Sequence, residues 1–216
     1  MKSHGSFRKM LKETIHESQK CQRNWDLNKQ IPEEDKDLII ESATNCPSKQ
    51  NLNYYNLHVI EDRQKIEKIH ENTRGFGPIY FDYDSEKTDG HYKEERGDEG
   101  KHYTNSQVLG NMLLAFTKND GPLLQRELND KYDEDRSMAV GIAAGYVNVI
   151  ATQLGYATGC CKCMDSNVIS EILGETPILL MGVGYPDPTK NRREHHSEDF
   201  KFPTLKKYKS ISITIH

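Results

Sequence analysis

The sequence predicts a single globular domain of the α+β class, built from all 216 residues around one core. Two observations support this prediction. Residues 133–156 form a long stretch with apolar side chains at helical spacing, whereas residues 54–60, 111–117 and 177–184 are short apolar stretches typical of strands. Charged residues make up 29% of the chain, but the 35% that are hydrophobic are gathered into these blocks, so a folded core is expected rather than disorder.

Two helices are predicted before the first strand. Phe7, Leu11 and Ile15 recur at helical spacing between charged residues, which indicates an amphipathic opening helix. A second helix is expected from Pro32, because proline fits a first helical turn and the acidic residues that follow suit the positive end of the helix dipole. This helix should end before Pro47.

The middle of the chain begins with segments of regular hydrophobic periodicity and continues with a segment that has none. Residues 54–60 alternate as in a strand, with Leu57 and Val59 on one face, and residues 63–70 have the pattern of a short helix. Residues 73–104 have no sustained period. A solvated surface excursion is the simpler interpretation of this segment, and a lid or binding loop is the alternative.

The long apolar helix at residues 133–156 is the strongest element. It begins with three acidic residues, which suit a helix N-terminus. Apolar residues at spacings of three and four are Val140, Ala143, Val147, Ile150 and Leu154. Most of the remaining surface is also apolar, through Met138, Ile142, Ala144, Val149 and Ala151. A helix that is apolar around most of its circumference belongs inside a structure or between two subunits.

The C-terminal extension, residues 187–216, ends in a strictly alternating segment. Ile211, Ile213 and Ile215 lie on one side of it, as in a strand with one apolar face. Because this segment lies far beyond the last core strand, it is expected to pair with a distant sheet edge or with a partner subunit.

Composition excludes several classes of protein. A net charge of -4 and a pI near 6.1 argue against a polyanionic partner such as nucleic acid. No apolar run approaches the roughly 20 residues that span a bilayer, and the charged N-terminus does not resemble a signal peptide. Five cysteines, with three of them crowded together, favour reduced thiols and a cytoplasmic location over a disulfide scaffold.

Three polar clusters lie along the chain, at residues 20–24, 46–51 and 190–193. Each one alone is best explained as a solvated charged run. Their order along the chain is more specific: a basic motif, Ile-Pro and a helix, Pro-Ser-x-x-Asn and a strand, and a long apolar helix that ends in Leu-Gly-Tyr. The segments that follow the long helix are residues 154–160, which are rich in small side chains, and residues 178–186, which end in Gly-Val-Gly-Tyr-Pro.

In this order and spacing, the sequence resembles the nitroreductase family over nearly its whole length. The resemblance implies a three-layer α+β fold with a mixed, mostly antiparallel sheet flanked by helices. It also implies a long central helix at a homodimer interface, an exchanged C-terminal strand, and non-covalent FMN sites shared between the two subunits.

The resemblance further implies which residues meet FMN. Those expected to bind its phosphate and its pyrimidine edge are Lys20, Cys21 and Arg23. Those expected to reach the phosphate from the other end of the chain are Lys190, Arg192 and Arg193. Two positive side chains suit a phosphate of charge near -2, and arginine adds bidentate geometry.

Other positions match the family's contacts with the flavin ring and the ribityl chain. The loop that approaches from the neighbouring subunit contains Pro47, Ser48 and Asn51. A ribityl contact is expected from Asn105 with Gln107 nearby. The segment expected near the flavin N5 edge contains Cys160, Cys161 and Lys162.

A metal site is the alternative explanation for the cysteine cluster. Structural zinc requires four ligands, and beside Cys160, Cys161 and Cys163 the fourth would have to be His195 or His196. Buried thiols are the favoured interpretation, so no metal is predicted. Similarly, the single tryptophan, Trp25, is interpreted as a core anchor rather than a stacking platform.

The activity implied by the resemblance is an NAD(P)H-dependent oxidoreductase. Reducing equivalents would pass through flavin N5 to a nitroaromatic, quinone or similar conjugated acceptor in a ping-pong cycle. No dedicated acid–base residue is assigned. Two alternatives remain: a specialised member, such as a reductive dehalogenase or flavin-consuming enzyme, and a flavin-binding or interaction protein with little turnover.

Overall fold

The computed structural model describes residues 4–52, 54–74, 104–119, 129–190, 192 and 212–215. Within these residues the helices are α1 (His4–Ser18), α2 (Glu33–Thr44), α3 (Arg63–Glu71), α4 (Asn129–Gln153) and α5 (Ser166–Leu173). The strands are β1 (Tyr55–Ile60), β2 (Met112–Lys118), β3 (Ala157–Cys161) and β4 (Pro177–Gly184).

The four strands form one antiparallel sheet in the order β1-β2-β4-β3. β4 therefore lies at the centre, between β2 and β3, and Gly182 of β4 pairs with Gly159 of β3. Along the outer edge of β3, Cys21 forms an isolated parallel bridge with Thr158. The antiparallel pairing confirms the mostly antiparallel sheet that the family resemblance implies, and the Cys21–Thr158 bridge adds a parallel contact among the described residues.

The two faces of the sheet are covered by different helices, which gives the three predicted layers. On one face, Ile39 of α2 and Val147 of α4 are fully buried in the larger core cluster. On the other face, Ile66 of α3 and Ile169 of α5 are fully buried in a second cluster. Trp25 lies in this second cluster at 2% exposure and donates its indole N–H to the Ser106 carbonyl at 2.9 Å, so its predicted role as a core anchor is confirmed.

Local sequence signals explain where the shorter helices begin and end. Asp62 caps α3 by accepting a hydrogen bond from the Lys65 backbone N–H at 3.1 Å. α5 was not among the predicted elements, although it has the same signals. Asp165 caps its N-terminus, and Gly174 ends it in the left-handed conformation at φ 78°, which glycine adopts without steric cost.

The opening helix is confirmed, but its apolar face does not cover the core. Phe7, Leu11 and Ile15 are 50%, 42% and 64% exposed, respectively. The helix contacts α4 through its other side, where the buried Thr14 donates its hydroxyl to the Gln153 side-chain oxygen at 2.8 Å. The apolar stripe of α1 is therefore available for contacts outside this single chain.

Several predictions fall outside the described residues. They include the interior of the irregular 73–104 segment, Arg193, the His195–His196 pair and Ile211. Ile213 and Ile215 are described, have no regular secondary structure in the single chain, and are 84% and 92% exposed. Strand exchange by this segment stays a prediction. Among the described helices, none is long and apolar enough to cross a membrane.

Candidate functional site

The opening basic segment and the late basic segment are joined by backbone pairing. Gln22 N–H donates to the Thr158 carbonyl at 2.8 Å, which attaches this segment to the edge of β3. Further along, Asp26 N–H donates to the Tyr185 carbonyl at 2.9 Å, just beyond the end of β4. The chain thus brings residues near 23 and residues near 190 to the same edge of the sheet.

Two guanidinium groups converge at this edge. Arg192 donates from Nη1 to the Cys21 carbonyl at 3.1 Å, and Arg23 lies close enough to Arg192 for their charges to interact. Burial lowers the pKa of Arg23 from its ordinary value, the nearby Cys21 opposes this effect, and the Arg192 charge adds to it. A partly buried pair of like charges favours an anion between them, because the anion relieves their repulsion. The structure therefore brings Cys21, Arg23 and Arg192 together, and their contact with a phosphate stays a prediction.

The predicted lysines occupy different surroundings. Lys20 contacts both carboxylate oxygens of Glu17 at 2.6 and 2.5 Å, so its ammonium group is directed back to the end of α1. Lys190 is exposed at the surface. Contacts of these two residues with a phosphate stay predictions.

A short 3-10 turn, Ser106–Val108, crosses the sheet at a pair of glycines. A Cβ placed on Gly182 would lie 2.2 Å from the Gln107 carbonyl oxygen, and one on Gly159 would lie 2.9 Å from the same atom. Only glycine permits this close approach. As a result, Asn105 reaches β3, where its Nδ2 donates to the Cys161 sulfur at 3.3 Å. Asn105, Gln107 and Cys161 therefore form a second group beside β3.

The cysteines beside this turn are free, protonated thiols. Burial raises the pKa of Cys160 to about 12 and that of Cys161 to about 11. Neither sulfur is a nucleophile near neutral pH, because the thiolate is the reactive form. Lys162 and Cys163, which follow, are exposed. Among the residues that the structure describes, no group of three or more His, Cys, Asp or Glu side chains is placed to hold a metal ion.

The third predicted group, Pro47, Ser48 and Asn51, lies elsewhere in the chain. Ser48 Oγ donates to the Leu52 carbonyl at 2.8 Å, which closes a compact loop. Lys49 in this loop donates to Asp135, near the start of α4, at 2.6 Å. In contrast, the edge of β3 contacts the far part of α4, where Thr158 donates its hydroxyl to Asn148.

These two points of attachment are well separated along the helix. Asp135 and Asn148 are 13 positions apart, which corresponds to about 20 Å of α-helix at 1.5 Å per residue. The loop and the arginine pair therefore lie towards opposite ends of α4 within one chain. The Lys49–Asp135 contact and the glycine crossing could not be predicted from the sequence, because neither has a local pattern.

Comparisons with known proteins agree with this architecture. The sequence profile of the Nitroreductase family matches residues 17–185. A nitroreductase family protein from Clostridium novyi NT is similar in structure, with a TM-score of 0.59 and 18% identity over 85% of this chain and 89% of that one. A candidate NAD(P)H:FMN oxidoreductase from Staphylococcus epidermidis is similar with a TM-score of 0.58 and 16% identity, over 89% and 92% of the two chains.

A third solved structure, a candidate nitroreductase from Exiguobacterium sibiricum 255-15 in complex with FMN, has a TM-score of 0.60 and 15% identity, over 91% of this chain and 92% of that one. Comparison with the curated proteins gives no match. The structural neighbours share the fold at low identity. The family profile covers most of the sequence and includes Arg23, whereas Arg192 lies beyond the matched residues. The chain belongs to the nitroreductase family.

Proposed function

We propose that this protein is an FMN-dependent oxidoreductase that passes reducing equivalents from NAD(P)H to a nitroaromatic, quinone or related conjugated acceptor. The observation that carries the proposal is the convergence of Arg23 and Arg192 beside Cys21, at the edge of the sheet. The FMN in the similar Exiguobacterium protein, and the NAD(P)H and FMN named for the Staphylococcus protein, support the choice of cofactor and donor.

The residues present fit FMN. Two partly buried guanidiniums suit its phosphate, and each can donate two hydrogen bonds to a phosphate oxygen pair. The close glycine crossing fixes the backbone around Gln107 and leaves Asn105 beside β3, which supports Asn105 as the ribityl contact. When bound, FMN supplies the hydride and electron chemistry, while the protein binds and orients it.

The same residues define what the chain itself contributes. The arginines hold the phosphate end and keep it from dissociating. Cys160 and Cys161 stay protonated, so they supply small, uncharged surfaces instead of a nucleophile. No acid–base residue is assigned among the described residues. The 73–104 segment is proposed as the cover of the pocket, which would make it the source of acceptor choice.

We also propose that the site is completed by a second copy of the chain. α4 exposes an apolar stripe, with Met138 at 57%, Ile142 at 39%, Tyr146 at 45% and Val149 at 40% exposure. An exposed stripe of this kind is typical of an interface. Two of the stripe's glycines, at 141 and 145, have open space beside them, which allows a second helix to approach closely.

A two-fold axis through this stripe and perpendicular to α4 would make the two α4 helices antiparallel. The loop attached near Asp135 of one copy would then lie towards the Asn148 end of the other, which is the end that adjoins the arginine pair. The separation of about 20 Å within one chain supports this arrangement, because it leaves the two halves of the predicted site apart in the monomer.

The first test is spectroscopic. Purified protein, reconstituted with FMN, should bind it with a flavin spectrum and bleach anaerobically when NADH or NADPH is added. Failure to bind FMN would refute the proposal. FMN binding without bleaching would instead favour a flavin-binding protein with little turnover, and a panel of acceptors after bleaching would identify the oxidised partner.

The second test locates the phosphate. Replacing Arg23 and Arg192 by alanine should raise the Kd for FMN by about 100-fold or more, since each charge-assisted contact contributes roughly 1.5–3 kcal/mol. Lys68→Ala, which removes one exposed charge from α3, is the matched control. An unchanged Kd in the double arginine variant would remove the phosphate assignment.

The third test asks whether the site is shared. Mixed dimers are prepared from one subunit with both arginines replaced and one subunit with residues 47–51 replaced by a glycine–serine loop. A shared site places both defects in one site and leaves the other intact, so half of the FMN binding capacity returns. A site within one chain leaves a defect in each site, and no capacity returns.

A further inference from the structure

The loop at residues 47–52 has an unfavourable backbone at two successive positions. Gln50 and Asn51 have φ values of 55° and 56°, in the left-handed region that residues other than glycine seldom occupy. Two backbone hydrogen bonds close the turn, from Asn51 to Ser48 at 3.0 Å and from Leu52 to Lys49 at 3.2 Å. Such a conformation persists only where surrounding contacts impose it.

Consecutive residues of α4 supply those contacts. Asp135 accepts from Lys49 Nζ at 2.6 Å, and Arg136 donates from Nε to the Tyr54 carbonyl at 3.0 Å. One contact thus holds the middle of the loop and the other holds the chain where it leaves the loop. Arg136 is itself fixed, since its guanidinium lies 4.5 Å from the centre of the Tyr132 ring.

The Lys49–Asp135 pair is unlike an ordinary surface ion pair. The Asp135 side chain is only 10% exposed, whereas the Lys49 side chain is 49% exposed. The hydrogen bond with Asp135 raises the pKa of Lys49, although burial opposes the shift. Because the lysine ammonium is directed to the protein and not outwards, it is already engaged on its own subunit.

We propose that Lys49 and Asp135 are positioning residues, which hold the 47–52 loop in the conformation that meets FMN on the partner subunit. This inference rests on the proposed function, since it requires that the loop contact FMN. Neither side chain touches the cofactor. Both act through the backbone of the loop, so that Pro47, Ser48 and Asn51 present a fixed surface.

The alternative is that Lys49 leaves Asp135 and binds FMN directly. The two arrangements predict different results for Asp135. A lysine that only positions the loop needs its carboxylate partner, so either substitution should weaken FMN binding. A lysine that binds FMN directly would be released by loss of Asp135, and binding would then stay the same or improve.

The experiment compares full-length dimers that carry Lys49→Met, Asp135→Asn, both substitutions, Lys49→Arg, or Lys68→Ala as the surface control. FMN Kd is measured by fluorescence titration, and the Tm of each cofactor-free dimer is measured beside it. We expect each single substitution to raise Kd about 10-fold and the double variant to raise it no further, because the two residues act as one unit. Lys49→Arg should restore binding to within about threefold, since arginine keeps the charge.

Four results would overturn the inference. An unchanged or lower Kd in Asp135→Asn would mean that Lys49 contacts FMN itself. A lower Tm with wild-type Kd in every variant would mean that the pair only stabilises the fold. Independent, multiplying effects in the double variant would mean that the residues do not act together. Failure of the wild-type protein to bind FMN would remove the proposed function together with this inference, whereas the first three results remove the inference alone.

One variant protects the test against misfolding. A single substitution leaves one charge without its partner, and an unpaired buried carboxylate is strongly destabilising. The double variant Lys49→Met with Asp135→Asn leaves no such charge. Its Kd therefore reports on the loop even if Lys49→Met alone does not yield folded protein.

Discussion

Gly182→Ala is expected to destabilise the protein and to loosen the predicted site at the same time. The Cβ of alanine would lie 2.2 Å from the Gln107 carbonyl oxygen and 3.2 Å from the Gly110 backbone nitrogen. Both opposing atoms belong to the main chain, and Gly182 itself lies in the central strand β4. No side chain can rotate away, so either β4 or the 3-10 turn has to retreat by roughly 1 Å.

The size of the effect follows from this geometry. Overpacking of a rigid core costs about 1–3 kcal/mol, and main-chain atoms on both sides favour the upper end of that range. For a chain of this length, each kcal/mol lowers Tm by about 2–4 °C, so we expect a decrease of roughly 6–12 °C. A retreat of the turn would also move Gln107 and Asn105, so FMN affinity should fall together with stability.

The assay is thermal unfolding by circular dichroism at matched protein concentrations, since the proposed dimer would make Tm depend on concentration. Gly5→Ala is the matched control. A Cβ at Gly5 meets nothing within 4 Å, and alanine favours a helix over glycine by up to about 1 kcal/mol. With each Tm determined to about 1 °C, a Tm for Gly182→Ala within about 2 °C of the wild-type value would refute the reasoning.

Three further predictions concern other parts of the chain. Hydrogen bonds, led by the one from Thr117, lower the pKa of Glu175 below its ordinary 4.5. Glu175→Gln should therefore lower the free energy of unfolding, measured in urea at pH 7, by about 1 kcal/mol. This difference from the wild type should vanish as pH falls through the lowered pKa, where the wild-type side chain is also neutral. Because burial raises the pKa of Cys161 to about 11, iodoacetamide at pH 7.5 should modify the exposed Cys163 in the native protein and the buried Cys161 only after unfolding, as mass spectrometry would show; rapid labelling of Cys161 would contradict its burial. Ile142→Glu should shift the protein towards monomer in sedimentation velocity without lowering the helical signal, and an unchanged dimer would place the interface elsewhere.

Elements with strong local patterns were predictable from the sequence. The long helix α4 could be recognised from its apolar spacing, and the acidic residues after Pro32 marked the start of α2. β4 was recognised from an uninterrupted apolar run, which is what a strand buried on both faces requires. The convergence of Arg23 and Arg192 was expected only through the family resemblance, because the two residues are far apart in the chain.

Features that depend on distant contacts were not predictable in this way. Lys49 and Asp135 are 86 positions apart, and neither stands out in its own segment. The pattern of α1 shows that one face is apolar but not what that face packs against, and in this chain the face is exposed. α5 differs from these cases. Its capping aspartate and terminal glycine are local signals. The sequence therefore encodes α5, although it was not among the predicted elements.

The length of α4 has a consequence for how the proposed site is filled. If each site takes its loop from one copy and its arginines from the other, FMN binding and subunit association are linked equilibria. Dilution of the protein would release cofactor as the subunits separate, and excess FMN would hold them together at concentrations where the cofactor-free protein dissociates. The cellular concentration of the flavin would then help to determine how much of the protein exists as assembled enzyme.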